Sequence, residues 1–95
     1  MPKLVLAPQL ARMLPSAPPG AELVIEANGT SLREALESAF TQHPPLRGYV
    51  VDEHGAIRHH VAIFVDGTSV RDKRAPDEPL AAGSEIHVMQ ALSGG

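Results

Sequence analysis

Apolar residues alternate with polar ones in short runs cut by glycine and proline, and in one interval their spacing changes to that of a helix. The run Lys3–Leu6 predicts a strand that Pro8 ends. Leu10, Met13 and Leu14 make 9–14 either a single helical turn or an irregular loop, and the proline-rich stretch 15–20 reads as loop. Residues 22–27 predict a second strand, with Leu23 and Ile25 on one face and Val24 on the other. These two strands suggest an antiparallel hairpin with a long connection.

After the turn Asn28-Gly29-Thr30 comes Ser31-Leu32-Arg33-Glu34, a capping box in which the Ser31 hydroxyl takes the Glu34 amide and Glu34 reaches back. Leu32, Ala35, Leu36, Ala39 and Phe40 then recur at i, i+3, i+4, i+7 and i+8, one apolar stripe. The helix should run to about Gln42 and stop at Pro44-Pro45. A short strand is predicted over 48–51 and a turn over 52–55. Val61–Val65 reads as a strand with Val61, Ile63 and Val65 on one face, and His60, Ala62 and Phe64 on the other. Asp66-Gly67 is a type I′ hairpin signal, returning the chain antiparallel over 68–70. A polar loop follows Arg71, a turn sits at 81–83, and Glu85–Gln90 is the last strand. Its Ile86 and Val88 face one way, and His87 and Met89 the other.

A lone amphipathic helix buries its stripe only against a sheet. The β-β-α-β-β-β order, with first and last strands apolar enough to be central, therefore predicts an α+β fold. It is a β-grasp, a mixed sheet of about five strands wrapped on one main helix. Residues 1–90 form this domain, and 91–95 are expected to be a flexible tail. The helix covers one face of the sheet and leaves the other half open. In the register above, Phe64 and Met89 point to the open side with His60 and His87, and would anchor a partner. A one-residue slip would instead bury Phe64 in the core.

The 95 residues fit one domain with a modest core and no deep catalytic cleft. A net charge of −3 argues against a nucleic-acid partner. The absence of cysteine removes disulfides, thiolate metal sites and thiol nucleophiles. No apolar run approaches the roughly 18 residues of a membrane span, and no signal-peptide pattern opens the chain, so cytoplasm is the expected location. The five histidines include His54, His59, His60 and His87. Neighbours on a strand point oppositely, so His59 and His60 cannot easily share an ion, and no metal site is expected. Arg71-Asp72-Lys73-Arg74 is a brief basic run, a solvated loop or an aid to docking on an acidic edge.

The sequence closes on Gly94-Gly95. Chance pairing of two glycines runs at about 0.5%. Residues without Cβ make a backbone that fits a narrow channel. From Ile86 to Gly95 the chain carries no charged residue, so little hydration is lost when it enters an apolar pocket.

Three stretches together resemble the MoaD/ThiS sulfur-carrier family: the residues from Asp77 to Val88, the ending Ala91-Leu92-Ser93-Gly94-Gly95, and Ile63-Phe64-Val65-Asp66-Gly67. The resemblance extends over Lys3 to Gly95 and is most specific from about Val61 onward. It implies a ubiquitin-like fold and a carrier or co-substrate rather than an enzyme, one that could serve as the non-catalytic subunit of a synthase. A ubiquitin-activating-type adenylating enzyme would use ATP to adenylate Gly95, and a sulfur donor would then replace AMP to leave a thiocarboxylate. Gly94 would be the required spacer, with Ala91, Leu92 and Ser93 lying in the partner's groove. The carrier itself would bind no cofactor. The 15–20 and 42–60 connections are longer than in the shortest, thiamine-type carriers. That favours the molybdopterin-synthase small-subunit type, with a large synthase subunit as a further partner. Three alternatives stay open: a modifier joined to lysines through Gly95, a thiamine- or cysteine-pathway sulfur carrier, and a β-grasp interaction module whose diglycine is incidental.

Overall fold

The computed structural model describes residues 1–15 and 20–91. Among these the chain runs β1 (Lys3–Leu6), α1 (Pro8–Ala11), β2 (Leu23–Glu26), α2 (Leu32–Gln42), α3 (Pro44–Val50), β3 (Val61–Val65), β4 (Thr68–Ser69) and β5 (Glu85–Gln90). The strands form one sheet in the order β2-β1-β5-β3-β4. The β1–β5 pair is parallel and the other pairs are antiparallel. The first and last strands are thus neighbours inside the sheet, as their apolar character predicts.

Alternation along the strands decides what is buried. Leu4, Leu6, Ile25, Val61, Ile63, Ile86 and Val88 point to one side and are buried with Leu32, Leu36, Ala39 and Phe40 of α2. The cap of α2 forms as expected at Ser31, whose Oγ accepts the Glu34 N–H at 3.3 Å. The return contact differs by one residue. Glu34 Oε1 accepts from the Thr30 N–H at 2.8 Å and from the Thr30 hydroxyl at 3.2 Å. Gly29 allows this turn: its φ is +140°, and a Cβ there would sit 2.5 Å from the Glu34 Cβ.

The strand expected over 48–51 is a helix instead. Pro44 and Pro45 do end α2, but they also occupy the first turn of α3, where a fixed φ and a missing N–H cost nothing. Leu46 and Val50, one turn apart, are buried against the core, with Tyr49 partly buried beside them. Only Val51 keeps extended pairing, as an isolated bridge to Ile57. The 9–14 segment resolves as the helical turn α1, with Leu10, Ala11 and Leu14 buried. Asp66 and Gly67 take φ of 49° and 85°, as a type I′ turn requires. Residues 16–19 of the expected proline-rich loop lie outside the described residues.

Candidate functional site

The last strand is the site's foundation. β5 is bonded on both sides, to β1 and to β3, so its course is fixed by two ladders. Its start is fastened by Asp66, whose Oδ1 accepts the Glu85 N–H and whose Oδ2 accepts the Ser84 hydroxyl, both at 2.9 Å. These bonds hold the Asp66 carboxyl below the ordinary carboxylate range, the Glu85 amide acting most strongly. At the far end, the Ala91 N–H donates to the His60 carbonyl at 2.7 Å, one step past the Val61–Gln90 pair. Ala91 is the root of the proposed tail. Leu92, Ser93, Gly94 and Gly95 lie outside the described residues.

The helix-free face is built from the other half of the alternation. Phe64 sits opposite His87, and Ala62 opposite Met89. All four are half-buried, and Phe64 and Met89 occupy the open side. The row continues through Val5, which pairs with both His87 and Val24. Val24, at the sheet edge, is 54% exposed, whereas Val5 is only 8% exposed beneath its neighbours. Val24–Val5–His87–Phe64 is therefore a continuous, largely apolar band, and Ala62 and Met89 carry it to the tail root. Along its border Lys3 lies in register between Glu26 and Glu85, and the His87 ring meets Glu85 Oε1 at 3.3 Å.

His60 does not join this face. Its ring turns to α3 and meets Tyr49 edge-on, centroids 5.5 Å apart, with His59 at 6.2 Å. A residue at a strand's end is not held to the pleat, so alternation misplaces it. Among the described residues no group of three His, Asp or Glu side chains could hold a metal ion. None of the helices described is long and apolar enough to cross a membrane. Alternation along β1 and β2 could have added Val5 and Val24 to the open face. Nothing local in the sequence signals that Tyr49 and Lys73 converge on the tail root.

A family model described as the ThiS family matches residues 11–95. Similar solved structures include SAMP1 from Haloferax volcanii, 24% identical, with 99% of this chain and 98% of that one covered and a TM-score of 0.72. CysO of Mycobacterium tuberculosis is 16% identical over 94% of this chain and 99% of its own, with a TM-score of 0.75. A chain of the Amycolatopsis orientalis BexX/CysO complex is 17% identical over 97% and 99%, with a TM-score of 0.74. At these identities the likeness is one of fold, and the fold is the ubiquitin-like β-grasp. None of the curated proteins matches the sequence.

Proposed function

The chain belongs to the ThiS family, and from that premise we propose that it is a sulfur carrier whose reactive group is the Gly95 carboxylate. The observation that carries the proposal is the course of β5. Among the described residues a doubly paired central strand reaches its last hydrogen bond at Ala91, and the family match runs on from there to Gly95. A carboxylate is a poor electrophile and is ionised at neutral pH, with an ordinary pKa of about 3.5. Its oxygen attacks the α-phosphorus of ATP in a ubiquitin-activating-type partner, releasing pyrophosphate. Sulfide released by a sulfur donor then attacks the acyl carbon and expels AMP, leaving the thiocarboxylate. Gly94 keeps the backbone slim enough to enter the nucleotide site. Ala91, Leu92 and Ser93 occupy the partner's groove, while Phe64 and Met89 rest on its surface. The carrier contributes no acid, base or bound cofactor.

The acceptor we propose is a molybdopterin precursor, taken up with a large synthase subunit. The support is the long 42–60 connection, which here folds as α3 and a turn. Intact mass after incubation with ATP, a cognate activating enzyme and a sulfur donor should show one oxygen replaced by sulfur at Gly95, and deletion of Gly95 should abolish the change. An unchanged mass with an activating enzyme that loads its own carrier would refute the proposal. A second reading, a modifier joined to lysines, is favoured by one observation. The fold matches a protein named small archaeal modifier protein 1, at 22% identity and a TM-score of 0.72. Lysine adducts in cells that vanish on deleting Gly95 would select that reading.

A further inference from the structure

Among the described residues the hydrogen bond from the Ala91 N–H to the His60 carbonyl is the last backbone contact before the tail, and the segment supplying that carbonyl is itself tied to two other elements. The Arg58 N–H donates to the Val50 carbonyl at 2.9 Å, and Arg58 Nε donates to the Gly48 carbonyl at 2.8 Å. Both tie the turn to α3. The Val61 N–H closes the turn on the Arg58 carbonyl at 2.9 Å. From the other side, Lys73 Nζ lies 3.3 Å from the His59 carbonyl and 3.5 Å from that of Arg58. The Lys73 backbone carbonyl accepts the Ile57 N–H at 2.7 Å. The His60 ring rests edge-on against Tyr49.

Lys73 is thus a cation spent on two backbone carbonyls of a turn, with no carboxylate partner within salt-bridge reach among the described residues. α3 and the 71–75 loop hold, from two sides, the 56–60 turn that supplies this carbonyl.

We propose that Tyr49, His60 and Lys73 are positioning residues that set the direction in which the chain leaves the sheet. The four residues beyond Ala91 span at most about 13 Å when extended. With so short a reach, a swing at the root moves the terminal carboxylate by several ångströms, and the partner must undo that swing as it binds. The brace spares the activating partner the ordering of the tail root, which otherwise raises KM. The inference rests on the sulfur-carrier reading above.

The test compares wild type with Lys73→Met, which keeps the aliphatic stem, His60→Ala, which keeps the carbonyl, and Lys73→Arg, which restores a cation. Two readouts are taken, hydrogen exchange of the Ala91 amide by NMR, and the steady-state kinetics of thiocarboxylate formation. Lys73→Met and His60→Ala should speed Ala91 exchange about tenfold while amides in the middle of β5 keep their protection. KM for the carrier should rise about fivefold with kcat changed less than twofold, and Lys73→Arg should recover most of the loss. Unchanged Ala91 exchange, or faster exchange with an unchanged KM, would overturn the proposal, as would a uniform loss of protection through β5, which marks general destabilisation. Wild type that exchanges slowly at Ala91 yet never acquires sulfur would instead refute the sulfur-carrier reading and leave the brace standing.

Discussion

Single residues do specific work at the two ends of β5. Ser84 is 2% exposed, and its hydroxyl both donates to Asp66 and accepts the Ala81 N–H at 2.9 Å. Replacing it with alanine leaves a part-buried amide and one carboxylate oxygen without their partner. Ser84→Ala should cost about 1–2 kcal/mol, read as a lower urea midpoint at constant slope. A loss below about 0.3 kcal/mol would show that water replaces the hydroxyl without penalty. Gly29, in the turn before α2, is equally constrained, since its positive φ and the closeness of Glu34 leave no room for a side chain. Both the capping serine and the Asp66-Gly67 turn were legible in the sequence, because their partners lie within a few residues. The Asp66–Glu85 and Asp66–Ser84 bonds were not, because they join residues separated by 19 and 18 positions.

Elements show the same divide between local and distant causes. α2 was readable because its stripe repeats over three turns and carries its own start and stop. α3 was misread because Tyr49, Val50 and Val51 suggest a strand by propensity, whereas Leu46, Tyr49 and Val50 at helical spacing pack on the core. A close ion pair helps dock α3 on α2. Arg47 holds Glu37 with two bonds of 2.6 and 2.7 Å and lies 5.1 Å over the Phe40 ring. Both groups are about half exposed, so the pair orients more than it stabilises. Packing carries the weight, and Leu46 is fully buried. Leu46→Ala should destabilise by about 2–4 kcal/mol in chemical denaturation. A loss under about 1 kcal/mol would mean that α3 is not part of the cooperative core.

At the scale of the whole molecule, four carboxylates among the described residues titrate below their ordinary values, and the directions agree. Glu34 is lowered chiefly by the Thr30 amide, Glu37 by Arg47, Asp52 by the His54 amide and Asp66 by the Glu85 amide. A lowered folded-state pKa means that the unfolded chain binds more protons, so stability falls as pH falls. The contribution is complete above the ordinary values of 4.5 for Glu34 and Glu37 and 3.8 for Asp52 and Asp66, and is lost as pH drops through the lowered ones. Urea midpoints should therefore decline between about pH 5 and pH 3, modestly because these groups are largely solvated. A midpoint that holds steady over that range would show that the bonds persist on protonation. The sequence by itself determined five of the strands, the capped helix and the I′ turn, because each depends on neighbours a few residues away. Tertiary structure alone decided that 44–50 is helical, that the His60 ring turns from the open face to Tyr49, and that Lys73 reaches the 56–60 turn beside Ala91. Those outcomes depend on which distant segments compete for the same buried surface and the same carbonyl oxygens, and no local pattern encodes that competition.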